Sequence, residues 1–169
     1  IPNMTVLAPA DEEELRLMTR TSCAFDGPCS IRYPKSAVSL PEGYSVSSFE
    51  IGKWLTLREG TDAVILAVGS MVATALRVAE ALAQDGISLT VVNASTVKPL
   101  DMECLRRVFE MERPIFTLEE HVRMAGFGSS VLEAASEMGF QPWVKLLAVD
   151  DYFVPHGDHA HLLRDTGLD

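Results

Sequence analysis

From residue 51 onward, short apolar runs alternate with amphipathic helical stretches, and this alternation constrains the fold more than any other feature of the chain. The runs typical of buried strands are residues 63–68, 89–92, 115–118 and 144–149. The stretches with helical periodicity are residues 71–85, 101–111 and 128–138. This order predicts an α/β three-layer sandwich with a mostly parallel sheet. Residues 53–57 predict a hairpin-like strand at one edge of that sheet, and Asp158 caps a last short helix.

Residues 1–35 predict a separate β-α-β unit. Two short β-prone runs, at residues 4–8 and 29–33, flank a helix that begins after Asp11. Asp11 and Glu14 have the D-x-x-E spacing of a capping box, in which two side chains satisfy free amides of the first helical turn. We expect the two strands to be parallel, with a right-handed crossover.

The stretch that follows this unit has the composition of a linker. Residues 36–50 are rich in Ser, Pro and Gly and show no consistent period, so we place the domain boundary there and a second domain over residues 51–169. The chain opens at Ile1 with a strand-like run and no leader, and we expect it to be a piece of a longer protein.

Composition argues against several classes of protein. The 24 acidic and 14 basic residues give a formal net charge of −10, which leaves no basic stripe for a nucleic-acid backbone. No apolar run approaches the roughly 20 residues that span a bilayer, so a membrane protein is not expected. Cys23, Cys29 and Cys104 are odd in number and lack CxxC spacing. They are interpreted as mostly buried thiols in a reducing, cytoplasmic compartment.

A glycine-containing segment, Gly126-Phe127-Gly128-Ser129, follows one strand and opens a helix. Backbone amides at such a position can hold an anion. The third glycine of a dinucleotide fingerprint is absent, since Val131 stands in its place. The favoured interpretation is a tight turn in which Ser129 caps the helix, with a nucleotide-binding domain as the alternative.

Glu119, Glu120 and His121 lie at the carboxyl end of a strand, where α/β sheets place their ligands. Paired acids beside a histidine could serve as general acid and base or as metal ligands. Adjacent side chains on a strand point to opposite faces, so at most one acid shares a side with the histidine. A turn stabilised by charge is therefore favoured over a catalytic pair.

Three more histidines, His156, His159 and His161, are close together in sequence and could bind Zn²⁺ or Ni²⁺. If Asp158 caps a helix, His159 and His161 diverge on it, so a solvated helix start is favoured over a metal site. No Ser/His/Asp or Cys/His arrangement, P-loop or HExxH motif is recognised.

Arg32 and Lys35 flank Tyr33-Pro34 at the end of a predicted strand. Cations that leave the carboxyl end of a parallel strand are well placed to hold a substrate phosphate through charge-assisted hydrogen bonds.

Several motifs together resemble one family almost from end to end. They are Ile1-Pro2-Asn3-Met4, Asp26-Gly27-Pro28, Ile31-Arg32-Tyr33-Pro34, Gly69-Ser70-Met71-Val72, Lys98-Pro99-Leu100-Asp101, Gly126-Phe127-Gly128-Ser129 and Phe153-Val154-Pro155-His156-Gly157. The chain resembles the carboxyl-terminal part of the 1-deoxy-D-xylulose-5-phosphate synthases, thiamine-diphosphate enzymes of the transketolase superfamily. The resemblance implies that residues 1–35 end a pyrimidine-binding domain and that residues 51–169 form a transketolase carboxyl-terminal domain.

The same resemblance implies that the cofactor-binding and catalytic groups lie outside this chain. Thiamine diphosphate and Mg²⁺ are held upstream in such enzymes, as is the glutamate that activates the cofactor. This chain alone is therefore expected to bind no cofactor, to hold no catalytic residue and to be inactive. We expect its partners to be the missing amino-terminal domains and a second copy in a homodimer.

One functional position carries over from the family. Its Arg-Tyr-Pro-Arg segment grips the phosphate of glyceraldehyde 3-phosphate with the second arginine, and Lys35 stands there in this chain. Lysine keeps the charge but lacks the bidentate fork of arginine. We therefore expect Lys35, helped by Arg32, to hold the acceptor phosphate, with a transketolase-like relative that uses another acceptor as the alternative.

A competing hypothesis is a non-catalytic module, either an assembly domain or one subunit of a split enzyme. A 2-oxoacid dehydrogenase β-type module is a related alternative, because Lys98-Pro99-Leu100-Asp101 is shared across the superfamily. The β-α-β unit taken alone would expose an unpaired sheet edge, which predicts either self-association or poor order in residues 1–50.

Overall fold

The computed structural model describes all of residues 1–169, which form two β-sheets and five helices. In chain order the strands are β1 (Thr5–Leu7), β2 (Cys29–Ile31), β3 (Leu55–Arg58), β4 (Ala63–Ala67), β5 (Leu89–Asn93), β6 (Thr96–Lys98), β7 (Ile115–Val122) and β8 (Val144–Val149). The helices are α1 (Glu12–Ala24), α2 (Met71–Ala83), α3 (Met102–Glu110), α4 (Phe127–Met138) and α5 (His159–Thr166). None of these helices combines the length and the apolar character that crossing a membrane requires.

The larger sheet has the strand order β3-β5-β4-β7-β8. Strands β5, β4, β7 and β8 run parallel to one another, and β3 runs antiparallel to β5 at one edge. The predicted mostly parallel sheet with one extra edge strand is therefore confirmed.

The edge strand does not form the predicted hairpin with β4. It pairs with β5 instead, and Leu55 lies opposite Asn93. The turn after β3 crosses the start of β5 at Gly60, whose amide donates to Thr90 Oγ1 at 3.0 Å. A Cβ on Gly60 would lie 2.3 Å from the carbonyl carbon of Leu89. This close crossing leaves β5 between β3 and β4.

Helices cover both faces of the larger sheet. On β4, Val64 and Leu66 point into the core formed with α3 and α4, whereas Ile65 and Ala67 point into the core formed with α2. Leu168, just after α5, packs into the second of these cores. The two cores on opposite faces confirm the three-layer sandwich.

The smaller sheet, with the strand order β2-β1-β6, joins the amino-terminal unit to the rest of the chain. β1 and β2 are parallel and are connected by α1, as predicted. β6 pairs antiparallel to β1, with Leu7 opposite Thr96. Sequence reasoning missed β6 because a strand of three residues has no recognisable period. β1 is thus covered on both sides, whereas β2 and β6 at the two ends of this sheet each pair with β1 alone.

Residues 36–50, the predicted linker, form neither helix nor strand. A domain boundary within them stays a prediction.

Glu14 connects the start of α1 to the end of β5. Asp11 Oδ1 accepts from the Glu14 amide at 2.8 Å, as the predicted capping box requires. The second half of that box differs, because the Glu14 carboxylate accepts from the Ala10 amide at 2.7 Å and from Asn93 Nδ2 at 2.9 and 3.0 Å. Glu14 is 1% exposed, and burial raises the pKa of its carboxyl while these hydrogen bonds oppose the shift.

The cysteines are less buried than expected. Cys104, on α3, is buried within the core, but Cys29 is half-buried and Cys23 is exposed. Cys23 lies on α1, the helix of the amino-terminal unit, which buries only Glu14 and Met18 and leaves most of its surface open.

The raised pKa of Glu14 predicts a pH-dependent stability. The folded chain binds this proton more tightly than the unfolded chain, so the free energy of unfolding falls as the pH rises from the ordinary carboxyl value through the raised one. Glu14→Gln is expected to remove that fall, measured by thermal unfolding from about pH 4 to about pH 8. Glu14→Ala leaves two donors unpaired and should lower the free energy of unfolding by about 3 kcal/mol.

The exposed Glu12 in the same turn provides the control. Glu12→Gln should leave the pH profile of stability unchanged. A Glu14→Gln profile parallel to that of the unsubstituted chain would contradict the raised pKa.

Candidate functional site

A cavity of about 560 Å³ opens where the carboxyl ends of β4 and β7 face the smaller sheet. Its walls come from both sheets, from the start of α2 and from α4. Its polar lining includes Arg32, Ser70, Lys98, Glu119, Glu120 and His121. Ligands of open α/β sheets bind in the crevice beyond the carboxyl ends of the strands, so this cavity is the candidate site.

The carboxylate of Glu119 holds the start of α4 at one wall of the cavity. Its Oε2 accepts from the Phe127 amide and its Oε1 from the Gly128 amide, both at 2.8 Å. Glu119 is 2% exposed, and burial raises the pKa of its carboxyl against the opposing effect of the two amides. The helix dipole also favours a negative charge at this position.

The glycines of this segment allow the close packing around the cap. A Cβ on Gly128 would lie 2.6 Å from the side chain of Leu146. Gly126 is the residue that caps α4, whereas Ser129, the predicted cap, donates instead to the Arg123 carbonyl at 2.9 Å. Sequence spacing could not reveal that the first amides of this helix are bound by the side chain of Glu119, a residue of β7. The helix amides hold the chain's own carboxylate, an arrangement that disfavours the nucleotide-binding alternative.

Glu120, the next residue of β7, connects three other segments. Ser70 Oγ donates to Glu120 Oε1 at 2.5 Å, and His159 Nε2 lies 3.0 Å from both carboxylate oxygens. Ser36 Oγ lies 3.0 Å from Nδ1 of the same ring. A Ser/His/acid arrangement therefore does exist, although the sequence shows none, because Ser36 and His159 are 123 positions apart.

His121 borders the cavity on the Glu119 side of β7. Its Nδ1 lies 3.0 Å from the Val122 carbonyl oxygen, and since a carbonyl can only accept, Nδ1 carries a proton and Nε2 is left without a partner. The predicted turn is instead continuous strand, because β7 extends to Val122. The strand divides its acidic pair, so that Glu119 caps a helix and Glu120 joins the network with His159.

Arg32 and Lys35, the two predicted phosphate-binding residues, are placed differently. Arg32 follows β2 directly and borders the cavity. Lys35 is exposed and lies outside the lining of the cavity. Neither side chain forms a salt bridge. Binding of phosphate by either residue stays a prediction.

The three carboxyl-terminal histidines do not form one cluster. His156 and His161 are exposed, while His159 turns toward β7. Asp158 Oδ1 accepts from the Ala160 amide at 3.1 Å, so the predicted cap of α5 is confirmed. No group of three His, Cys, Asp or Glu side chains is arranged to hold a metal ion.

The layered sheet, the carboxyl-edge cavity and the appended β-α-β unit define an α/β module of the transketolase type, and comparison with solved structures agrees. A split-gene transketolase described as an inactive β4 tetramer has a TM-score of 0.91 and 36% identity, over 99% of this chain and 55% of its own. Transketolase from Campylobacter jejuni shares the fold, with a TM-score of 0.69 and 18% identity over 99% of this chain and 24% of its own.

Residues 52–169 match the family model of the transketolase C-terminal domain, and the chain belongs to that family. Curated relatives extend the similarity to the whole chain, as the sequence resemblance predicts. The 1-deoxy-D-xylulose-5-phosphate synthase of Pelotomaculum thermopropionicum is 44% identical over 99% of this chain, and that of Shouchella clausii is 42% identical over 99%. The Thermus thermophilus synthase is 43% identical over 100% of this chain. The chain spans about a quarter of the length of these synthases, 26% or 27%.

Because Glu119 binds the first amides of α4, its substitution is expected to lower the stability of the chain. Glu119→Gln offers one acceptor oxygen to two backbone amides, so it is expected to lower the free energy of unfolding by about 1–3 kcal/mol in denaturant titrations. Glu133→Gln, an exposed substitution on α4, should change it by less than about 0.5 kcal/mol. Equal losses in the two variants would show that Glu119 does not support the helix.

Proposed function

We propose that this chain is the carboxyl-terminal region of a 1-deoxy-D-xylulose-5-phosphate synthase, a transferase that condenses pyruvate with glyceraldehyde 3-phosphate and releases CO₂. The product would serve isoprenoid-precursor and thiamine biosynthesis. The observation that carries the proposal is that more than 40% identity to such synthases covers residues of the amino-terminal unit as well as the family domain. A shared carboxyl-terminal domain alone would not extend over the Arg32–Lys35 segment.

The cofactors of such an enzyme do not fit the residues of this chain. Thiamine diphosphate, when bound, supplies the sink for the carbanion formed from pyruvate. The amides at the start of α4, which could otherwise hold a diphosphate, already bind Glu119, and no acidic or histidine trio suits Mg²⁺. We therefore assign both groups to the domains that precede this region and expect the region alone to be inactive.

The acceptor phosphate is assigned to the segment after β2. Arg32 brings an unpaired guanidinium to the cavity wall, and Lys35 brings an exposed ammonium three positions later. A guanidinium can bind two phosphate oxygens at once, whereas an ammonium acts as a point charge. Lys35 is assigned to the phosphate directly, with Arg32 as the second cation.

The proposed partners are the preceding domains of the same enzyme and a second copy in a homodimer, in the cytoplasm. Support for the first comes from β2, which has a neighbour on one side only and so exposes backbone groups that another strand could pair. The exposed thiol of Cys23 suits a reducing compartment.

A second candidate is the corresponding subunit of a split transketolase, favoured by the 36% identical structure of that description. The two candidates differ in the donor. A synthase releases CO₂ as it condenses pyruvate with glyceraldehyde 3-phosphate, whereas a transketolase transfers a two-carbon group from a ketose phosphate. CO₂ release by the holoenzyme from carboxyl-labelled pyruvate distinguishes them.

Substitution of Lys35 in the holoenzyme tests the phosphate assignment. Lys35→Ala is expected to raise the KM for glyceraldehyde 3-phosphate at least roughly tenfold, the effect of losing one charge-assisted hydrogen bond, and to leave the KM for pyruvate within about twofold. Lys35→Arg should lower the KM for the aldehyde phosphate, because a guanidinium can donate two hydrogen bonds to the phosphate at once. Steady-state kinetics with each substrate varied measures both.

Lys145, an exposed lysine on β8, provides the matched control. Lys145→Ala should change neither KM. Equal changes in both constants on Lys35→Ala would overturn the phosphate assignment.

A further inference from the structure

The segment that carries Lys35 makes a single hydrogen bond to the rest of the chain, while Leu40 at its far end packs against the second core. Residues 33–40 make no backbone–backbone hydrogen bond, since the last one before them joins the Arg32 amide to the Leu7 carbonyl. The bond between Ser36 Oγ and His159 Nδ1, at 3.0 Å, is the one side-chain hydrogen bond in this stretch. The hydrogen bond nearest to Lys35 in this segment is therefore the one made by its immediate neighbour Ser36.

His159 is itself fixed by the larger sheet. Its Nε2 lies 3.0 Å from both oxygens of Glu120, and Glu120 also accepts from Ser70 Oγ. His159 and Glu120 are partly shielded, with side chains 32% and 28% exposed. The network thus runs from the start of α2 through β7 and α5 to the residue after Lys35.

The protons of this network can be placed from its acceptors. A carboxylate accepts only, so Nε2 of His159 carries a proton. In the neutral ring Nδ1 then accepts from the Ser36 hydroxyl, and in the imidazolium Nδ1 donates to it. Either form of the ring holds Ser36, so the attachment does not require a particular charge.

We propose that His159 is a positioning residue for acceptor recognition: through Ser36 it holds Lys35 where the phosphate of the aldehyde substrate binds. This inference rests on the proposed function, which assigns the phosphate to Lys35. If Lys35 were mobile, part of the free energy of phosphate binding would be lost to the entropy cost of ordering its segment. Holding the segment in place beforehand avoids that cost. Residues of β7 and α5 thereby act on a substrate contact in the amino-terminal unit.

A nucleophilic role for Ser36 fits the geometry less well. In hydrolase triads the serine faces Nε2 of the histidine and the acid faces Nδ1. Here the order is reversed, with Ser36 on Nδ1 and Glu120 on Nε2. The arrangement fixes a segment in place.

Kinetics of the holoenzyme test the proposal. His159→Ala is expected to raise the KM for glyceraldehyde 3-phosphate roughly fivefold, the equivalent of one neutral hydrogen bond, with the KM for pyruvate and kcat within about twofold. His161→Ala, a substitution two positions along the same helix, should change none of these constants. Ser36→Ala should reproduce the effect of His159→Ala, and Ser36→Thr, which keeps a hydroxyl, should not.

A double-mutant cycle with Lys35→Ala separates this proposal from the one it rests on. If His159 acts through Lys35, adding His159→Ala to Lys35→Ala changes the aldehyde-phosphate KM by less than about twofold. Full additivity, or equal rises in both KM values on His159→Ala, would overturn the positioning role. If Lys35→Ala itself has no selective effect, the phosphate assignment fails instead.

Tryptic cleavage between Lys35 and Ser36 gives a readout that needs no substrate. Release of the segment should make cleavage at this bond about fivefold faster in the His159→Ala and Ser36→Ala holoenzymes, in proportion to the open population, and leave it unchanged in His161→Ala. Cleavage at the unsubstituted rate in His159→Ala would show that His159 does not hold the segment.

Discussion

Backbone hydrogen bonds between β1 and β6 hold the amino-terminal unit, residues 1–35, beside the carboxyl edge of the larger sheet, and the cavity lies between the two. Arg32 directly follows a strand of the smaller sheet and Glu120 lies in the larger sheet, yet both border the same cavity. The Ala8 amide reinforces the junction by donating to the Ser95 carbonyl at 2.9 Å, just before β6. The contacts proposed for the substrate phosphate depend on this junction. The cations Arg32 and Lys35 belong to the amino-terminal unit, whereas the hydrogen-bonded network of Glu120 and His159 belongs to the rest of the chain.

Two buried carboxylates, Glu14 and Glu119, act on either side of this junction by the same physical means. Each is 1% or 2% exposed, and each accepts from N–H groups that carry no charge. Desolvation raises the pKa of both carboxyls, and the N–H donors recover part of that cost. Because such donors are directional, each carboxylate fixes the start of one segment: Ala10 before α1 in one case and Phe127 in the other. Glu119 thereby positions the start of α4, which forms part of the cavity wall.

Local signals in the sequence predicted the individual helices and strands well, but they predicted the contacts between distant elements poorly. The apolar run of β8 and the cap at Asp158 are decided by neighbours within a few residues, and both are as predicted. β6 and the pairing of β3 with β5 depend on partners distant in the chain, so no local pattern reveals them. The same limit applies to the candidate site, where resemblance to a family pointed to Lys35, but only the folded chain brings Ser36 to His159.

The absence of regular structure in residues 36–50 has a consequence for how such a chain can be encoded. The contacts that join the parts on either side of that segment include the β1–β6 strand pair, the bond from Ala8 to Ser95 and the hydrogen bonds of Glu14 to Asn93, none of which requires an unbroken peptide between them. A gene interrupted within this stretch would yield two polypeptides with complementary surfaces, able to reassociate without a covalent link. Fission of the reading frame, followed by noncovalent assembly, is thus an evolutionary route that this architecture leaves open.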